Sequence, residues 1–141
     1  MTIEKGTTVV IDRYYYSGIV YSAAKGRPDL SLDWARRPEV GLPRPDICFF
    51  LDITTEAAAK RVGFGDEKYE TSAMQKRVRE LFYELVKLPD GQDIRFIDAG
   101  RNIEAVEADI AERARELMGH SKMTEAVRSI LPWAEMPEVA G

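Results

Sequence analysis

The chain has very little of the two residues that most often carry metal-binding and nucleophilic chemistry. Its 141 residues include one cysteine, Cys48, and one histidine, His120. A single cysteine excludes an intrachain disulfide framework and fits a reducing compartment. Cys48 lies inside the apolar run ICFFL and reads as a small buried core residue rather than a nucleophile. His120, in the polar stretch GHSK, reads as a surface residue, so neither a metal site nor a histidine-based triad is expected. No apolar run approaches the ~18 residues that a membrane-crossing helix requires. The opening MTIEKGTT has no apolar signal core and is not arginine-rich, so a cytoplasmic or nuclear location is expected. Positive charge is not in excess: 20 Lys and Arg against 24 Asp and Glu leave a formal net charge of −4, which argues against broad nucleic-acid binding. The motif G-x-x-x-x-G-K-[ST], whose backbone N–H groups and lysine cradle nucleotide phosphates, does not occur. Gly63 and Gly65 in VGFGDE are the nearest glycines to such a pattern, and no Lys-Ser or Lys-Thr follows them.

What is present is an alternation of strand and helix patterns. Residues 8–11, 47–52 and 94–98 are short runs rich in Val, Ile or Phe, each closed by an aspartate. Met74, Val78, Leu81, Phe82 and Leu85 recur at helical spacing, as do Ile103, Val106, Ile110, Ala114 and Leu117. Both stripes are expected to be core faces. Asn102 is placed to cap the second helix, and Thr54 to cap a short one through residues 57–61. Residues 26–45 carry Pro28, Pro38, Pro43 and Pro45 and read as an extended surface connection. Within it, residues 31–37 form one or two helical turns stopped before Pro38, with Trp34 as a packing anchor. After Gly119 a short helix is expected over 123–131, and then a fraying tail, PWAEMPEVAG. The pattern implies an α/β fold with parallel strands in a single domain over residues 1–141.

The most informative stretch is VVIDRYYYSGIVYSAAK, residues 9–25. Val9, Val10 and Ile11 have no polar face, as in a buried parallel strand. Asp12 and Arg13 follow at the carboxyl end of that strand, where open α/β sheets bind ligands. A carboxylate there can hold Mg²⁺ or its water, and a guanidinium can hold a phosphate. The alternative is a plain salt bridge at the strand end.

DRYYYSGIVYSAAKG resembles the strand-end Asp-Arg-Tyr and following helix of thymidylate kinases. The likeness continues in order from residue 6 to around residue 118. GLPRPDICFFLDI resembles the family's Leu-Pro-x-Pro-Asp lead into its next core strand, and AAKRVGFGDEKYE, within a lid at 58–70, the segment that closes over the donor. QKRVRELFYEL resembles the helix after the lid, and IDAGRNIEAV the adenine-side loop and the start of the last long helix. Residues 119–141 match less clearly.

The resemblance implies a P-loop nucleoside monophosphate kinase type parallel sheet with flanking helices, here without the first strand, phosphate loop and early helices. It implies Mg²⁺-dependent transfer of a phosphoryl group from ATP to dTMP, giving dTDP for dTTP synthesis, by a homodimer in the full-length form. Arg13 matches the arginine that reaches the acceptor phosphate and the transferred group, and Asp12 either a Mg²⁺ ligand through water or a general base. Tyr14, Ser17, Gly18 and Tyr21 fall on the segment that shapes the thymine pocket, Gly18 and Tyr21 on one helix face. Tyr69 matches a tyrosine on the acceptor nucleotide, and Arg61 the lid arginine near the ATP phosphates or adenine. Gly63, Phe64 and Gly65 would give the lid its flexibility, and Ala99, Gly100 and Arg101 match the loop beside the adenine. Without the flanking matches, VGFGDEKY reads as an ordinary glycine-containing turn. No basic residue lies between Arg61 and Lys68, which implies that the phosphate loop supplies the catalytic arginine.

Within the family fold, the phosphate-loop strand sits between the strand ending at Asp12 and the strand ending at Asp52. Its loss would leave two apolar edges facing a gap. The isolated chain is therefore expected to be unstable, to oligomerise, or to need a complementary piece. Two other readings stand beside the kinase: a non-catalytic nucleotide-binding or dimerisation module, and a nucleic-acid-binding protein, which the net charge disfavours.

Overall fold

The computed structural model describes residues 5–60, 71–119 and 126–136. The expected lid residues Arg61, Gly63, Phe64, Gly65 and Tyr69, and also His120, lie outside the described residues. Strands β1 (Cys48–Asp52) and β2 (Ile94–Asp98) pair in parallel, in register from Cys48↔Ile94 to Asp52↔Asp98. Parallel neighbours need a crossover. It runs through α3 (Thr55–Ala58) and α4 (Ser72–Leu85). The expected cap of α3 is made, the Thr54 hydroxyl accepting from the Ala57 N–H at 3.2 Å, and Thr71 caps α4 in the same way at 3.1 Å. The apolar face of α4 does what its spacing predicts: Val78, Leu81, Phe82 and Leu85 are buried, and Phe82 stacks on Phe50 of β1 at 4.0 Å.

Helix α1 (Tyr15–Ala23) buries Tyr15, Tyr16, Ile19, Val20 and Ala23 in the same core, beside α2 (Leu32–Arg36). The core is backed by a polar layer built on the 3-10 turn Pro89–Asp93. Gly91 makes that turn possible, since a Cβ there would lie 1.8 Å from the Val86 carbonyl oxygen. Asp90, fully buried, accepts from the Tyr15 hydroxyl at 2.9 Å, Arg36 Nε at 2.5 Å and Trp133 Nε1 at 2.6 Å. Asp93 accepts from the Tyr16 hydroxyl at 3.1 Å, Arg44 Nε at 2.5 Å and Arg128 Nη1 at 3.3 Å. Each buried carboxylate thus faces cations and neutral donors together, the arrangement that offsets desolvation.

The structure corrects several expectations. Residues 8–11 form no strand and pair with no described strand, and Val9, Val10 and Ile11 are 47%, 92% and 56% exposed. A strand needs a neighbour to accept its ladder, and the described sheet has two strands. Helix α5 (Ile103–Gly119), capped by Asn102 as predicted, buries none of its residues fully. Val106, Ile110, Ala114 and Leu117 are half-buried and Ile103 is exposed, because two strands are too narrow a floor for the whole stripe. Trp34 is no packing anchor: α2 turns Ala35 and Arg36 inward, which leaves Trp34 facing solvent. Residues 26–45 are accordingly more than a surface connection, since they bring Arg36 and Arg44 to the buried aspartates. Among the described residues after 125, no helix forms before 131; instead the Ile130 N–H donates to the Leu42 carbonyl and the Ile130 carbonyl accepts from the Gly41 N–H, beside an antiparallel bridge between Pro43 and Ser129. Trp133 and Met136 do not fray, being held by Asp90 and Arg36.

Candidate functional site

The loop from Asp12 to Tyr14 leads into α1. Arg13 has φ 61, the one non-glycine residue among those described in the left-handed region. That conformation costs an L-residue roughly 1–2 kcal/mol, and such strain concentrates at ligand-binding positions. Its guanidinium lies over the Tyr21 ring, 5.7 Å from the centroid. Asp12 is exposed, and no ion pair joins it to Arg13, so the strand-end salt bridge is not formed. Tyr14 is held differently from the ligand-facing residue expected: its hydroxyl donates to the Pro43 carbonyl at 3.0 Å and pins the loop to the GLPRPD segment. Ser17 is half-buried in the first turn of α1, and Gly18 is exposed one turn before Tyr21, its missing side chain 4.0 Å from Glu39 Oε1.

Two clefts open beyond the carboxyl ends of the strands. The smaller, about 190 Å³, lies between Tyr21 of α1, Leu51 of β1, and Thr55, Gln75 and Arg79. The larger, about 480 Å³, is lined by Asp52, Thr54, Arg79, Phe96, Asp98 and Gly100. Ile53 and Arg79 border both, so the two clefts adjoin in one grooved surface.

Arg79 is the hub of that groove. Its Nε and Nη2 donate to the two Asp52 oxygens at 2.5 and 3.1 Å, and the Tyr83 hydroxyl donates to Asp52 as well. The Arg79 bond holds the Asp52 carboxyl below its ordinary range, outweighing partial burial, with Tyr83 adding to the effect. At the far end, the Ala99 N–H donates to the Asp52 carbonyl at 2.8 Å and the Gly100 N–H to Asp98 Oδ1 at 2.9 Å. Arg101 folds back on the Asp98 carbonyl and pairs with Asp109, so its charge shapes the loop instead of reaching into the groove. Cys48 is packed against the core, and burial pushes its thiol up to about 11, which keeps it protonated and unreactive at neutral pH.

Of the residues singled out from sequence, the fold brings Arg13 to Tyr21 beside the smaller cleft and sets Gly100 on the larger one. Asp12 and Gly18 are exposed, and Ala99 is buried. Asp52, Arg79 and Asp98 line the groove and were not singled out as site residues. The spacing of Arg79 and Tyr83, four apart on α4 with a strand-final aspartate upstream, is the signal that could have found the first two. Among the described residues no group of three His, Cys, Asp or Glu side chains is arranged to hold a metal, and no helix is long and apolar enough to cross a membrane.

A family model described as thymidylate kinase matches residues 1–110. The thymidylate kinase of Homo sapiens is 43% identical over 108 residues, which are 77% of this chain and 50% of that protein. That of Danio rerio is 40% identical over 116 residues, 82% of this chain and 53% of that protein. A solved thymidylate kinase from Candida albicans superposes with a TM-score of 0.69 at 32% identity, over 84% of this chain and 59% of that one. The chain spans about half the length of the curated relatives it matches.

Proposed function

This chain belongs to the thymidylate kinase family, with the P-loop nucleoside monophosphate kinase type of α/β fold, and from that premise we propose that it serves the Mg²⁺- and ATP-dependent phosphorylation of dTMP to dTDP. The observation that carries the reading is the grooved surface bordered by Tyr21 and Gly100, with a strained Arg13 lying over the Tyr21 ring. The acceptor base lies over exposed Gly18 and against Tyr21, where no side chain at residue 18 competes for the space. Ser17 and Tyr14 support that face from behind. Arg13, whose planar guanidinium can meet two oxygens at once, takes the acceptor phosphate and the group being transferred. Phosphoryl transfer asks mainly for such positioning and for neutralised charge.

Asp12 is an exposed carboxylate next to Arg13, and one carboxylate with waters and substrate phosphates is how Mg²⁺ is commonly held. Bound there, the ion would neutralise phosphate charge. Ala99 and Gly100 border the donor base through their backbone, with Arg101 holding the loop. Lid residues Arg61, Gly63, Phe64, Gly65 and Tyr69 complete the reading as donor and acceptor contacts. Full-length dimerisation and a cytoplasmic or nuclear location belong to the same proposal.

The sequence contains no Gly-rich phosphate-loop motif, which favours a second reading: a module that binds dTMP without turning it over. Calorimetric titration with dTMP beside a phosphoryl-transfer assay separates the two. Binding with transfer supports the kinase, and binding alone supports the module. Failure to bind dTMP while the fold is intact removes both.

A further inference from the structure

Glu39 holds a half-buried carboxylate beside α1. It ends the 3-10 turn Arg37–Glu39, which follows directly on α2. The turn is fixed in place: the Val40 N–H donates to the Arg37 carbonyl at 3.3 Å, and the Leu42 N–H to the Glu39 carbonyl at 3.2 Å. The Tyr14 hydroxyl, on the Pro43 carbonyl, ties the segment that follows to the start of α1. Neighbouring Arg37 is taken by Asp33, and among the described residues no hydrogen bond or ion pair engages the Glu39 carboxylate.

Gly18 stands opposite this carboxylate. A Cβ on residue 18 would come near one described atom, Glu39 Oε1, at 4.0 Å. The missing side chain therefore leaves an opening between α1 and the turn, with a carboxylate oxygen at its edge. Tyr14 registers the same charge, since burial first and then Glu39 raise its hydroxyl above the ordinary tyrosine range. An ionised carboxylate only accepts hydrogen bonds. Among pyrimidines, thymine and uracil carry a hydrogen on N3, whereas cytosine carries a lone pair there. We propose that Glu39 accepts the N3–H of the acceptor base and so selects against cytosine nucleotides. The inference rests on the reading that dTMP lies over Gly18 and against Tyr21, and it adds the group that reads the edge of the ring. A site built to make a hydrogen bond rejects an analogue that cannot make it, because its polar group is then left unpaired. Arg13 takes the phosphate, which keeps the ligand's own negative charge at the other end of the nucleotide.

Calorimetric titration of the full chain with dTMP and, separately, with dCMP tests the assignment, using Glu39→Gln. Glutamine has the size of glutamate and carries an N–H that can donate to cytosine N3. The expected result is about tenfold weaker dTMP binding, as a charge-assisted hydrogen bond becomes a neutral one. The preference for dTMP over dCMP should fall by at least the same factor. Thermal melts of the variant should match the wild type, because the carboxylate has no described partner to lose. An unchanged dTMP affinity, or a loss shared equally by dTMP and dCMP, overturns the role of Glu39 and leaves the kinase reading standing. A wild-type chain that binds no dTMP removes both.

Discussion

Behind the sheet, Asp90 and Asp93 collect every donor that approaches them: two tyrosine hydroxyls, three arginines and an indole N–H. In front of it, Asp12 and Arg13 sit side by side without pairing, Arg13 in a strained backbone conformation, and Val10 lies in solvent. The same α1 joins the two regions, its tyrosines anchored behind and Gly18 and Tyr21 presented in front. The difference teaches that stability and binding capacity are built from separate groups. The rear satisfies its polar atoms internally and has nothing left to offer a ligand. The front keeps its charges available at the expense of strain.

Substitutions at the two regions should therefore have opposite signatures. The largest effect on stability is expected from Asp90→Ala, which leaves Arg36 buried without its counter-charge. Chemical denaturation should register a loss of about 3–5 kcal/mol, and an unchanged midpoint would show that the rear is not the anchor it is taken for. Tyr16→Phe removes one donor to Asp93 and should cost about 1–2 kcal/mol by the same measurement. Burial is the main reason that Tyr15 and Tyr16 hold their protons well above the ordinary tyrosine range. Their folded values are raised above the unfolded one of about 10, so this stabilisation is fully present below that pH and is lost progressively as pH rises from there through the raised folded values. Ultraviolet titration should show both rings ionising together with alkaline unfolding, not before it.

At the groove the effects on stability shrink. Asp52 has the reverse sign, because Arg79 lowers its folded value below the unfolded one. Its contribution is present above the unfolded carboxylate value of about 4 and is lost as pH falls through the lower folded one. Thermal melts of the wild type and Arg79→Gln between neutral and acid pH should converge as Asp52 protonates, by a modest amount since the pair is part-exposed. The smallest effect on stability, within about 0.5 kcal/mol, is expected from Arg13→Lys. That variant should nonetheless weaken dTMP binding by about tenfold, because an ammonium cannot span two phosphate oxygens. Equal losses of stability and binding at Arg13 would erase the distinction between the two regions.

Much of this was legible in the chain. The run ending at Asp98 is β2 residue for residue, β1 begins one residue later than its apolar run, and Thr54 and Asn102 cap the helices that follow them. Arg13 and Tyr21 stood out by their place after a strand and along a helix face, and they meet. Elements whose state depends on a neighbour are not legible locally. Residues 8–11 have every local mark of a strand and no partner among the described residues, and the stripe on α5 has the right period over too narrow a described sheet.

By itself, then, the sequence determined what acts over a few residues: apolar period, caps, the punctuation of strands by aspartate, and a family pattern that runs through them. Only the tertiary structure decided which charges are buried and which are offered. Arg36 and Asp90 are 54 positions apart, and Arg44 and Asp93 are 49 apart. Nothing in RRP, PRP or LPDGQD distinguishes those residues from surface charges. Their burial follows from the chain closing on itself, which makes an exposed-looking arginine and aspartate each the least costly partner for the other.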